Sequence, residues 1–222
     1  MAAAITKKIA IITGSTRVVR IGPQVAKFVN EVLEANLSSA KDKGIVFTLS
    51  PVDIATFKLP VFDEAVVPAT VPMFAQFEHE HSKAWSAEIS KYDGYVIVTA
   101  EYNVGIPAAV KNATDYLYNE IKGKPFLIIS YGIMGGGSAN DALNLTLTKG
   151  IHAHVVETRP KLSFAKNEPF EYGMPLDMRL ASTGKLGEQT LKEWWSDDKL
   201  DIIKGFEELK EYLVNTPEPN TA

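Results

Sequence analysis

A doubly wound α/β fold, built on a five-stranded parallel sheet with helices on both faces, is what the order of elements in this chain predicts. Two observations carry that expectation. Gly94 to Ala100 (GYVIVTA) and Lys124 to Tyr131 (KPFLIISY) are continuous apolar runs, as strands covered on both faces require. Helix-like blocks also alternate with the strand-like ones along the chain, which calls for right-handed crossovers between parallel neighbours.

The first strand reads from Ile9 to Thr13 and leads to a helix over Gln24 to Ala35, where Val25, Phe28, Val29, Val32 and Leu33 share one face. Gly44 to Asp53 is the second strand, followed by a helix over Met73 to Lys91. After the third strand, a helix over Ile106 to Asn119 accommodates Pro107 in its first turn. Helices over Ala139 to Lys149 and Asp197 to Leu213 complete the set, and His154 to Val156 begins a fifth strand between them. Ile54 to Val71 is too long for an ordinary connection and reads as a surface excursion near the site or a dimer interface. Lys166 to Lys185, with Pro169, Gly173, Pro175 and Gly184, reads as a similar irregular arm. Nothing resembles a linker, so residues 1–215 form a single domain, and the polar stretch that ends at Ala222 is a frayed tail.

The chain has 222 residues, enough for one large domain with a full core, and its 45% hydrophobic content stays below membrane levels. A net charge of -4 argues against general nucleic-acid affinity. The absence of cysteine excludes disulfides, thiol catalysis and a zinc ribbon, so redox chemistry would need a bound cofactor. Met1 to Lys8 lacks an apolar core of signal-peptide type, and a cytoplasmic protein without membrane contact is expected.

The most informative segment is the first strand's exit, Thr13-Gly14-Ser15-Thr16-Arg17. A buried strand that ends in small hydroxylated residues before a helix aims backbone amides at an anion. Ser15 and Thr16 add hydroxyls, and Arg17 and Arg20 add planar forks suited to phosphate. The plainer alternative is a strand-to-helix turn with two solvated arginines. No G-x-x-x-x-G-K-[ST] string and no G-x-G-x-x-G follows the strand, which favours a mononucleotide over a nucleoside triphosphate or dinucleotide. In a doubly wound sheet the ligand belongs beyond the carboxyl ends of the strands. There the chain places Glu101-Tyr102-Asn103 after strand three and Tyr131-Gly132-Ile133-Met134-Gly135-Gly136-Gly137 after strand four.

Together these motifs, G-S-T-R-x-x-R-x-G at Gly14 to Gly22, E-Y-N at Glu101 to Asn103 with P-A-A-V-K-N at Pro107 to Asn112, and Y-G-x-x-G-G at Tyr131 to Gly136, resemble the NADPH-dependent FMN reductase family over roughly residues 7–160. The resemblance implies a flavodoxin-like fold with strand order 2-1-3-4-5 and FMN as cofactor. NADPH or NADH would be the hydride donor, and a quinone or similar small molecule the acceptor. It implies that Ser15, Thr16, Arg17 and Arg20 hold the FMN phosphate while Gly22 opens the helix. Glu101, Tyr102 and Asn103 would line the ring and ribityl edge, and Tyr131, Gly132, Gly135, Gly136 and Gly137 would form the loop at the pyrimidine end. Two departures from the family pattern stand out: Ala100 stands where proline is common, and Ile133 and Met134 where glycine and histidine are frequent.

The mechanism so implied is hydride transfer in two half-reactions through one pocket, carried by the flavin with no catalytic side chain and no metal. A homodimer or dimer of dimers is implied too, with Asp115, Tyr116, Leu117 and Tyr118 at the contact. His79 and His81, two apart on the expected helix, would face different directions and be solvated. His152 and His154 read as structural or solvent-facing, and Trp194 and Trp195 as packing or oligomer contacts. Two other classes fit the motifs: a flavodoxin-type electron carrier, and a flavin-bound redox-sensing partner protein without NAD(P)H turnover.

Overall fold

In the computed structural model, which describes residues 5–37, 44–165 and 169–216, the apolar runs form one twisted parallel sheet. Strand β1 (Ile5–Thr13) lies between β2 (Ile45–Asp53) and β3 (Gly94–Ala100). Beyond β3 comes β4 (Pro125–Gly132). The outer position is filled twice: β5 (His154–Val155) pairs with the start of β4, and β6 (Lys161–Ser163) with its end. The order β2-β1-β3-β4-β5 is that of flavodoxin-like folds. The single fifth strand expected from sequence is thus two short pieces, and Pro160 between them still accepts a hydrogen bond from the Ser130 N–H at 3.0 Å.

Alternation along the strands sends side chains into two cores. Ile9, Ile11, Val96, Val98, Leu127 and Ile129 face α1 (Gly22–Glu34) and the terminal helix. Ala10, Ile12, Tyr95, Ile97, Phe126 and Ile128 face α2 (Glu80–Ile89), α3 (Ala108–Asp115) and α4 (Gly137–Leu145). The apolar stripe read on α1 is buried as expected. No helix among the described residues is long and apolar enough to cross a membrane.

Helix α2 begins seven residues later than the sequence suggests. The Glu64 carboxylate accepts the N–H groups of Glu78 and His79 at 2.8 and 2.9 Å, which fixes an extended entry. The excursion after β2 is therefore an ordered strap. Asn112 of α3 holds it at both ends of its amide, donating to the Pro60 carbonyl at 2.6 Å and accepting from the Phe62 N–H at 2.9 Å. Asn119 donates to the carbonyls of Ala69 and Val71.

Helix α3 stops at Asp115, short of the expected Asn119, and two of the four residues read as a dimer contact are withdrawn from the surface. Tyr116 is fully buried, its hydroxyl donating to Asp63 at 2.8 Å, and Leu117 is buried beside it. The histidines need correction as well. His79 lies in extended backbone before α2, so both imidazoles reach one carboxylate: His81 Nε2 is 2.9 Å and His79 Nε2 3.8 Å from Asp63. Their rings stack at 5.2 Å.

After β6 the expected irregular arm is structured. A hairpin of β7 (Phe170–Glu171) and β8 (Met174–Pro175) leads into α5 (Leu176–Ser182) and α6 (Glu188–Glu193), and α7 (Lys199–Asn215) follows. Asp177 of α5 accepts the Thr190 N–H at 2.7 Å and ties these helices together. Trp194 is buried against Phe28 and donates to the Ser163 carbonyl at 2.7 Å, a packing role. His154 stacks on Tyr212 at 4.0 Å. The polar tail after Thr216 lies outside the described residues.

Candidate functional site

The loops that leave β1, β3 and β4 meet at the carboxyl end of the sheet, as the topology requires. They enclose a cavity of about 210 Å³ lined by Arg17, Arg20, Glu101, Tyr102, Tyr131 and Gly132. Six of the residues expected at the site are therefore brought together. Thr16 faces a neighbouring hollow of about 240 Å³ beside Lys58 and Asn112.

The two arginines, alike in sequence, differ in what they touch. Arg20 donates two bonds to the Asp53 carboxylate, at 2.9 and 2.7 Å, and a further one to the Ser15 carbonyl. The Asp53 bond raises its pKa further, despite partial burial. Its fork is thus engaged in holding the loop. Arg17 sets its guanidinium carbon over the Tyr102 ring, 3.5 Å from the centroid, and makes no ion pair or hydrogen bond among the described residues. A guanidinium stacked this way keeps its in-plane N–H groups free for an anion.

Ser15 is fully buried, yet its Oγ makes no hydrogen bond of sound geometry among the described residues. Gly22 makes that burial possible, since a Cβ there would stand 1.9 Å from Ser15 Oγ and 3.1 Å from the Tyr131 hydroxyl. Tyr131 is pushed up to about 12, chiefly by burial, with Ser15, Arg20 and Arg17 pulling the other way. Tyr102 is also raised by burial and lowered by the same arginines. Both phenols accordingly remain neutral donors near neutral pH. Beside an uncommitted guanidinium and two aromatic rings, the buried Ser15 hydroxyl suits a phosphate monoester that carries a flat ring.

Asn103 stands at the tip of a tight turn with positive φ, between Tyr102 and Gly105, whose backbones exchange hydrogen bonds at 3.2 and 3.1 Å. It is exposed and outside the cavity lining. In the glycine loop, Gly135 spends its N–H on the Gly132 carbonyl, and Gly136 and Gly137 begin α4. The loop rests on a buried network the sequence did not reveal: Ser130 donates to the Gly135 carbonyl at 2.7 Å, Asn140 donates to Ser130, and Arg159 donates to Asn140 at 2.7 Å.

Phe164, Met178, Ala181 and Ser182 also line the cavity. Three of these lie on α5, so the arm supplies a wall. It is fastened to α1 by Gln24, whose amide donates to the Gly184 carbonyl at 2.7 Å and accepts from the Leu186 N–H at 2.9 Å. A larger groove of about 700 Å³ along the β2 edge is less suited to a phosphate. Among its lining residues the one cation, Lys27, faces Glu31 at 3.8 Å, and Glu34, Asp53 and Glu88 make the groove acidic. Among the described residues no group of three His, Cys, Asp or Glu is placed to hold a metal ion.

Residues 7–166 match the family described as NADPH-dependent FMN reductase. The NAD(P)H-dependent FMN reductase ntnL of a Nectria species is 42% identical over 212 residues, covering 95% of this chain and 99% of that protein. A quinone reductase of Escherichia coli is 38% identical over 90 residues, 38% of this chain and 42% of its own. Among solved structures, an oxidoreductase from Corynebacterium diphtheriae superposes with a TM-score of 0.61 at 16% identity, covering 96% of this chain and 99% of that one.

Proposed function

This chain belongs to the NADPH-dependent FMN reductase family, and from that premise we propose that its crevice holds FMN and passes electrons from NAD(P)H to a quinone-type acceptor by alternating half-reactions. The observation that carries the reading is the uncommitted Arg17 guanidinium beside the buried Ser15 hydroxyl. The chemistry FMN supplies when bound is two-electron exchange, first with the nicotinamide and then with the acceptor.

The chain's own residues bind and orient. Arg17, Ser15 and Thr16 hold the phosphate, and Arg20, fixed by Asp53, keeps the loop that presents them in shape. Tyr102 and Tyr131 provide aromatic surface, with Gly132 at the cavity wall between them. Phe164 and Met178 keep the inner wall apolar, while Ile133 and Met134 stand exposed at the mouth. Apolar walls of this kind exclude water from the transfer and favour a flat, uncharged acceptor. A quinone fits that description, in keeping with the partial likeness to a quinone reductase.

If donor and acceptor take turns in one crevice, initial rates against NADPH at several fixed quinone concentrations should give parallel double-reciprocal lines. Excess quinone should also compete with NADPH. Intersecting lines would require a ternary complex, and FMN-loaded protein that does not turn over NAD(P)H would favour an electron carrier.

We further propose a homodimer, formed through the strap. Val61, Met73 and Phe74 are 87%, 77% and 84% exposed there, an unusual display of apolar surface on one segment. Light scattering at micromolar concentration should give twice the mass of one chain. A single-chain mass would overturn the assembly.

A further inference from the structure

We propose that Glu101 is a positioning residue that neutralises the N-terminus of α4 and thereby lowers the electron affinity of the flavin in the crevice; the inference rests on the FMN reading above. Helix α4 opens from Gly136, at φ +72°, with no side-chain cap of its own and no acidic residue in its first turn. Such a start leaves N–H groups without helical partners and a partial positive charge of roughly +0.5. The missing carboxylate comes from another element. Glu101, in the loop after β3, accepts the Ala139 N–H through Oε2 at 3.0 Å.

The same side chain faces the glycine loop and the cavity. A Cβ on Gly136 would stand 3.3 Å from the Glu101 Cβ, and one on Gly132 3.8 Å from it. Glu101 also lines the cavity with Tyr102 and Gly132, while its own N–H donates to the Tyr131 carbonyl at 3.2 Å. One carboxylate therefore fastens the loop after β3 to the helix after β4. A carboxylate charge exceeds the partial positive charge of the terminus it caps, so the part of the lining these two loops form is negative, while Arg17 and Arg20 make the rest of it positive. Reduction adds negative charge to a flavin, and Glu101 opposes that addition.

The test uses the full-length FMN-loaded protein. The dissociation constants of oxidised and reduced FMN and the midpoint potential against a reference dye are measured at low ionic strength. Glu101→Gln keeps an oxygen to accept the Ala139 N–H and removes the charge. The ratio of the two constants should shift about tenfold in favour of reduced FMN, raising the potential by about 30 mV for a two-electron couple. Ser138→Lys, at an exposed position in the first turn of α4, should raise the potential in the same sense by a smaller amount.

An unchanged ratio of the two constants in Glu101→Gln overturns the proposal. So does loss of oxidised FMN from that variant at an unaltered melting temperature, which would make the carboxylate a direct ligand. Should Glu101→Gln fail to fold, an unchanged potential in Ser138→Lys overturns it in its place. Wild-type protein that binds no FMN at all would refute the functional reading instead, a distinct outcome visible in the flavin absorbance.

Discussion

Gly135→Ala should destabilise the fold by about 2–4 kcal/mol, the sum of a left-handed backbone penalty and an overpacked contact. Gly135 has φ +76°, and a Cβ there would lie 2.7 Å from the Lys161 carbonyl oxygen and 2.9 Å from its carbon. Lys161 cannot retreat cheaply, because β6 is held in register on Ser130 of β4. For a chain of this size the melting temperature should fall on the order of 5–15 °C, with flavin occupancy falling alongside. Gly137→Ala is the control: its φ is not positive, and the nearest atom is the flexible Lys161 Nζ at 3.7 Å. Equal melting temperatures for the two variants would contradict the assignment. The obstruction a side chain would meet at Gly135 lies within the protein itself, at the Lys161 backbone.

Arg17→Ala should weaken FMN binding by about 1.5–3 kcal/mol, roughly 10- to 150-fold, the worth of a charge-assisted hydrogen bond. Riboflavin, which lacks the phosphate, should bind wild type and variant nearly alike. Titration of both ligands by fluorescence quenching decides the matter, and equal losses would remove Arg17 from the phosphate site. Arg20→Ala should behave differently. It deletes the bonds to Asp53 and to the Ser15 carbonyl, so riboflavin affinity and thermal stability should fall with FMN affinity.

That contrast shows where sequence reasoning reaches its limit. The sheet was legible because β3 and β4 are buried on both faces, which leaves an uninterrupted apolar signature. The loops that form the crevice follow from where those strands end. Arg17 and Arg20 could not be told apart, since what separates them is Asp53, thirty-three residues from Arg20 at the end of a neighbouring strand. Tyr116 has the appearance of an interface aromatic until Asp63 supplies a partner for its hydroxyl from the strap. His79 and His81 diverge on a helix and converge on Asp63 only because Glu64 keeps His79 out of that helix. The α5 wall was missed for a related reason. A seven-residue helix between a hairpin and a glycine has too short a period to register, and its place over the crevice is set by Gln24 from the far end of the chain.

The late position of α7 bears on how the chain is born. Trp194, Ile202, Phe206, Leu209 and Leu213 cover the face of the sheet formed by Ile9, Ile11, Val96, Val98, Leu127 and Ile129. At about 5–20 residues per second, a ribosome needs on the order of ten seconds to travel from the end of β4 to Leu213. Throughout that interval α1 alone covers this face of the nascent sheet, and the part that α7 will occupy stays open. The wall carried by α5 emerges in the same stretch, so a crevice around a ligand can be completed only well after the sheet itself has been made.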